Sequence, residues 1–286
     1  MDRLEVSAPA KVNLFLRVSG VRDDGYHEIE SVMQTVSLFD RLVMKRAPVT
    51  RVSFKTEGLA PESPDLIEKG LGIFNQMVGG TQGAEVRVDK QIPIGAGLGG
   101  GSSDAAAALM GIDRLMGGLT PPKLLSEIAS QVGSDVPFFL KGGTALVSGR
   151  GEIVKSLPSF EAWWVIGVPD LSMSTEEVYA AFDRFGSSEG PSLQEFLAAL
   201  STGEVADVGS LLHNDLEIAA FDLQPELRDL KEEMRGAGAL GAVMTGSGSA
   251  IAGLCRDEEH AGSISKAISD RFERVVIARS VAGPPG

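Results

Sequence analysis

Residues 91–110 read QIPIGAGLGGGSSDAAAALM, with five glycines in the seven positions from Gly95 to Gly101 and then a run of alanines. The N–H groups left free at a helix start, together with the positive end of the helix dipole, make a ready anion site. Glycine lets that backbone come close to a ligand and take positive φ angles. Ser102, Ser103 and Asp104 suit a helix start, and the alanines propagate the helix. A lone glycine pair would be read as a packing device; five glycines running into SSD favour a loop built to hold phosphate.

Two familiar phosphate motifs do not fit. Gly95, Gly97 and Gly100 satisfy GxGxxG, but the dinucleotide fold needs a second strand bearing a ribose-binding acid after the helix. The next element is instead another helix, opening after Thr120 with Pro121 and Pro122. No Lys and Ser/Thr pair comes after a GxxxxG spacing, so the P-loop form is absent as well. A helix N-terminus contributes up to about 2 kcal/mol to a charged group, far less than phosphoryl transfer demands. A cation and a base must therefore stand beside the loop, and a side chain at Gly99 is expected to protrude into the phosphate site.

Upstream, Val12, Leu14, Leu16 and Val18 alternate as in a strand with one buried face, which places Lys11, Asn13 and Arg17 on the other. Strand patterns recur over 27–38, 41–46, 50–55 and 84–90, with a helical one over 65–77. Downstream, a helix is expected over Ser103–Met116, and 133–157 reads as a turn followed by two strands. The texture changes near Pro158, giving expected domains of 1–158 and 159–286. The second half is mainly helical, with a capping box from Ser174 to Glu177 and amphipathic runs over 192–200, 207–221 and 226–238. Strands at 162–169, 241–255 and 273–280 frame it.

The 286 residues carry 26 Lys and Arg against 39 Asp and Glu, a formal charge of −13. That balance disfavours a nucleic-acid partner, whose affinity comes from neutralising phosphates. Cys255 is the only cysteine, so neither an intramolecular disulfide nor a cysteine-cluster metal site is expected, and a reducing, cytoplasmic location fits. No signal-peptide pattern or run of roughly 18 apolar residues points to export or a membrane.

The stretch PIGAGLGGGSSDAAAAL resembles the phosphate loop of the GHMP kinases, and APAKVNLFLRV, GSDVPFFLKGGTALVSGRGE and MTGSGSAIAGL resemble that family's other signatures in the expected order. DGYHEIESVMQTVSLFD and HNDLE narrow the likeness to those GHMP kinases whose acceptor is 4-diphosphocytidyl-2-C-methyl-D-erythritol, in the non-mevalonate route to isoprenoids. The resemblance implies a two-domain α+β fold. Its N-terminal domain would be like domain 2 of ribosomal protein S5 and its C-terminal domain ferredoxin-like. It also implies ATP with Mg2+, a small-molecule acceptor in the cleft between domains, and a monomer or weak homodimer.

By the same resemblance, Asp135 is the catalytic base and Lys11 the second catalytic residue. ATP would lie on Pro93, Gly95, Gly97, Leu98, Gly99, Gly100, Gly101, Ser102 and Ser103. Substrate contacts would come from Asn13, Tyr26, His27, Thr175, Tyr179, Gly246 and Ser247, with Tyr26 and Tyr179 as the aromatic faces of a cytosine clamp and His27 on the base edge. No protein-held metal is expected. Read without the resemblance, Asp135 is a turn-stabilising carboxylate, Lys11 a solvated lysine, Tyr179 part of an apolar helix stripe, and Ser102 and Ser103 either phosphate or magnesium contacts or helix caps.

Overall fold

The computed structural model describes residues 3–55, 66–79, 83–187 and 189–286. Strands β1 (Arg3–Val21) and β2 (His27–Ala47) form one long antiparallel ribbon, from Arg3 opposite Lys45 to Val21 opposite His27. Both are rich in Val and Leu, as half-buried pleated surfaces require. Register shifts at Pro9/Ala10, Asn13/Phe15 and Val18/Gly20 mark bulges, which bend a strand and re-aim its side chains.

The single buried face expected for β1 is corrected. Every residue from Ala8 to Leu16 is buried, because the ribbon is packed on both sides. Lys11 and Asn13 are therefore interior residues, 3% and 0% exposed.

Strand β3 (Arg51–Lys55), helix α1 (Leu66–Val78) and strand β4 (Gly83–Asp89) come next, β4 pairing with β2. The helix expected over 65–77 opens at Asp65, outside the described residues, and from Leu66 onward it is present. Helix α2 (Gly100–Leu115) starts three residues earlier than expected, with Gly99 as its N-cap in the left-handed region. Helix α3 (Pro122–Val132) begins on its proline as anticipated. A short helix α4 (Val136–Lys141) stands where only a turn was expected; six apolar-rich residues are too few to show a helical period. Strands β5 (Thr144–Gly149) and β6 (Ile153–Ser156) extend the first sheet, with β5 on the N-terminal half of β2.

Strand β7 (Trp163–Val168) opens the second half. Helices α5 (Thr175–Phe185), α6 (Leu193–Thr202) and α7 (Val205–Ser210) come after it, then a two-residue strand β8 (His213–Asn214) and helices α8 (Glu217–Leu223) and α9 (Glu226–Gly236). Ser174 accepts from the Glu177 N–H, while the reciprocal capping box belongs to Ser192 and Glu195. The amphipathic run expected over 207–221 is broken: His213 and Asn214 pair in parallel with Phe15 and Leu16 of β1, stitching the two halves together. Strands β9 (Gly241–Met244) and β10 (Ile251–Cys255), helix α10 (Glu258–Ile268) and strand β11 (Arg274–Arg279) finish the chain.

The second sheet runs β11-β7-β10-β9, wholly antiparallel. With its strands numbered in sequence this is order 4-1-3-2, the ferredoxin-like arrangement. Trp164, Ile166 and Ala252 of this sheet share one core with Val12 and Leu14 of β1, so the halves pack through a continuous apolar layer.

Candidate active site

A cleft of about 840 Å³ lies where β1, the glycine loop, α5 and the β9–β10 hairpin meet. That is within the range of small-molecule sites. Every residue expected at the site lines it except Ser103, which is fully buried beneath.

The loop is pinned from two sides. Lys11 donates its backbone N–H to Leu98, and Ala250 donates to Ala96. Gly97 has φ +74°, and a Cβ there would fall 2.0 Å from the Thr245 carbonyl oxygen. Gly99 has φ +72°, and its Cβ would meet the Phe139 ring at 2.8 Å and the Lys11 stem at 3.0 Å. The expectation that a Gly99 side chain would enter the phosphate site is thus corrected: it would collide with the loop's own support. Gly101, by contrast, is open to the cleft, with only Leu66 near, at 3.8 Å. The expected side-chain caps are likewise absent from α2; Ser102 faces the cleft, while Ser103 Oγ is buried without a hydrogen-bond partner.

Lys11 Nζ donates to Asn13 Oδ1. Burial pulls the Lys11 ammonium below its ordinary pKa of 10.5, and the nearby Asp135 charge offsets part of that shift. Asn13 is itself fixed: Nδ2 donates to Ser31 Oγ at 2.8 Å, and Oδ1 also accepts from Thr245 Oγ1 at 3.2 Å. Asp135 is the N-terminal flanking residue of α4, with its carboxylate bonded to no helix N–H. It faces Tyr179 as well, whose phenol pKa is pushed up by burial and then by that charge.

Opposite the loop, Tyr26 is 51% exposed, with the Arg150 guanidinium 5.1 Å from its ring centre. The His27 ring lies 4.6 Å from that of Tyr179. Thr175 Oγ1 and Ser247 Oγ are 2.8 Å apart, joining the start of α5 to the hairpin. Asn214 donates to the Met244 and Gly246 carbonyls, both at 2.7 Å, and so sets the hairpin's height.

Sequence reasoning missed a buried triad beneath the loop. Lys90 Nζ donates to Asp40 Oδ2 at 2.5 Å and to Asp104 Oδ2 at 2.7 Å. Asp40 Oδ1 in turn accepts from the N–H groups of Gln91 and Ile92, at 2.5 and 2.8 Å. Burial lowers the Lys90 pKa, but Asp104 and Asp40 outweigh it and leave it raised. Burial also drives the Asp104 pKa well up against the pull of Lys90, with Asp40 adding to the rise. From sequence Asp104 reads only as part of a helix start and Asp40 only as the end of DGYHEIESVMQTVSLFD; Lys90 lies in no motif, and 50 residues separate it from Asp40. Arg150, within GSDVPFFLKGGTALVSGRGE but given no role there, and Asp183, which lies in no motif, also line the cleft.

The cleft thus brings together a loop of backbone amides, an interior ammonium, a carboxylate free of its helix and an aromatic patch. The sequence matches the N-terminal domain of the GHMP kinases over residues 65–143 and their C-terminal domain over residues 196–274. The chain belongs to the GHMP kinase family. Relatives that share one name match it almost end to end. It is 40% identical to 4-diphosphocytidyl-2-C-methyl-D-erythritol kinase of Gloeobacter violaceus, over 92% of this chain and 89% of that one. It is also 40% identical to the protein of that name from Pelotomaculum thermopropionicum, over 96% of each. A crystal structure of 4-(cytidine 5'-diphospho)-2C-methyl-D-erythritol kinase superposes with a TM-score of 0.82 at 35% identity, covering 98% of this chain and all of that one.

Proposed function

We propose that the protein transfers the γ-phosphoryl group of ATP to the 2-hydroxyl of 4-diphosphocytidyl-2-C-methyl-D-erythritol, giving the 2-phosphate and ADP. This is a step of the methylerythritol phosphate route to isoprenoids. The observation that carries the reading is the cleft itself, which brings the glycine loop, Lys11 and Asp135, and the Tyr26, His27 and Tyr179 patch onto one continuous surface.

Residues 1–158 supply the loop and both reacting side chains, and 159–286 supply α5 and the hairpin. ATP lies with its phosphates on Pro93, Gly95 and Gly97 to Ser102. Gly101 leaves the approach to the α2 amides open, which fits a phosphate there. Ser103 serves from below the loop. Asp135 accepts the proton of the attacking hydroxyl. Lys11, steered by Asn13, holds that carboxylate ionised and offsets charge on the transferred group. Tyr26 and Tyr179 stack the cytosine, each contact worth about 1–3 kcal/mol. Thr175, Gly246 and Ser247 close over the acceptor.

Among the described residues no cluster of three or more His, Cys, Asp or Glu could hold a metal. Mg2+ would arrive on the ATP phosphates, with the Ser102 hydroxyl, which lines the cleft, as a protein contact. The ion would neutralise phosphate charge during transfer. Among the described residues no helix is long and apolar enough to cross a membrane. We place the enzyme in the cytoplasm as a monomer or weak homodimer, without a nucleic-acid partner.

The test is ADP release from magnesium-ATP offered in parallel with the cytidylated acceptor, mevalonate, homoserine or no acceptor. Release with the cytidylated compound alone is expected. Release with mevalonate or homoserine instead would keep the kinase and overturn the acceptor assignment.

A further inference from the structure

Helix α5 carries Thr175, Tyr179 and Asp183 at steps of four, so the three share one face of the helix. Thr175 meets Ser247, Tyr179 meets the His27 ring, and Asp183 Oδ1 lies 2.7 Å from His27 Nε2. The Phe182 ring stands edge-on to the same imidazole, at 6.4 Å. The His27 side chain is 12% exposed, whereas that of Asp183 is 48% exposed. An ion pair so open to solvent adds little to stability. What it does fix is the ring: Tyr179 sets its plane and Asp183 sets its rotation.

A carboxylate can only accept, so the proton of the neutral ring sits on Nε2 and Nδ1 keeps its lone pair. Cytosine and uracil differ at C4, where one offers an amino donor and the other a carbonyl acceptor. We infer that Asp183 is a positioning residue for base selection: it holds His27 in the tautomer whose Nδ1 accepts from the 4-amino group of cytosine and repels the 4-carbonyl of uracil. The inference rests on the cytidylated acceptor proposed above and assigns its base specificity to a side chain that does not touch the base.

The test compares kcat and KM for 4-diphosphocytidyl- and 4-diphosphouridyl-2-C-methyl-D-erythritol in the wild type, Asp183→Ala and Asp183→Glu. Asp183→Ala should lower the cytidine-over-uridine ratio of kcat/KM by about tenfold, the scale of one base-edge hydrogen bond. The loss should come through KM for the cytidylated compound, with kcat held, and Asp183→Glu should restore most of the ratio. Independently of turnover, 15N spectra of the wild type should show His27 protonated at Nε2 and bare at Nδ1, and Asp183→Ala should mix the tautomers. An unchanged ratio in a folded Asp183→Ala protein, or a wild-type His27 protonated at Nδ1, would overturn the inference while leaving the kinase assignment intact. Absence of wild-type activity on the cytidylated acceptor would instead sink the functional reading on which it rests.

Discussion

Two lysines are buried on opposite sides of the glycine loop, and their surroundings have little in common. Lys90 lies under the loop with two carboxylates on its ammonium. Lys11 lies beside the loop with an amide oxygen as its bonded partner and Asp135 acting only at longer range. The first pKa is raised and the second lowered, although the residues are 8% and 3% exposed. Burial alone therefore does not decide what a lysine does. A charge matched by carboxylates bolts backbone in place, here through Asp40 to Gln91 and Ile92. A charge left under-compensated is held ready for negative charge that arrives with substrate.

Replacing each lysine by methionine is the most forceful way to break that contrast. Lys11→Met should cut kcat about 100- to 1,000-fold, the scale of a preorganised electrostatic group, while the thermal midpoint stays near wild type. Lys90→Met should do the reverse, costing about 3–5 kcal/mol of stability because two carboxylates are left buried without their cation. Denaturant titration beside steady-state kinetics separates the two; equal stability losses would erase the distinction.

A smaller effect is expected at Gly101, where Val should raise KM for ATP about tenfold by screening the α2 amides, at little cost in stability, since its φ and its space accept a side chain. Unchanged KM there would place the phosphates elsewhere. The pH–rate profile should show an alkaline limb below 10.5, because the required ammonium is lost as pH rises through the lowered Lys11 value. A profile flat to pH 10.5 would contradict that role.

The mildest change should be Asp104→Asn. Folding raises the Asp104 pKa, so its contribution to stability is present below the ordinary 3.8 and fades as pH climbs through the raised value. Asparagine keeps the shape and leaves Asp40 on the Lys90 ammonium, so it should cost less than Lys90→Met, and it should remove that slope in urea titrations across pH. A loss as large as that of Lys90→Met, or an unchanged slope, would contradict this reading of Asp104.

Much of this was legible in the sequence because it is local. The glycines, the SSD sequence and the alanines lie within one stretch, and Tyr26 and His27 are neighbours. Helix α4 was not legible, being shorter than two turns, nor was β8, whose two residues are defined only by pairing with β1. The interior position of Lys11 was hidden for a similar reason: β1 alternates as if one face were open, but the glycine loop and the Thr245–Gly246 turn, both distant in sequence, lie against that face. The Asp40–Lys90–Asp104 triad and the Asp183–His27 pair join residues 14 to 156 positions apart with no spacing rule to betray them. Cys255 is buried, and that burial is the main cause that pushes its thiol up to about 12.

The most direct measurement is ATP affinity and single-turnover phosphoryl transfer on the same preparation of Asp135→Asn. ATP should bind within a few-fold of wild type, because the loop and its supports are untouched, while transfer to the cytidylated acceptor falls by about 1,000-fold or more. Transfer within a few-fold of wild type would contradict the assignment of Asp135 as the base and, with it, the proposed division of labour between loop and reacting pair.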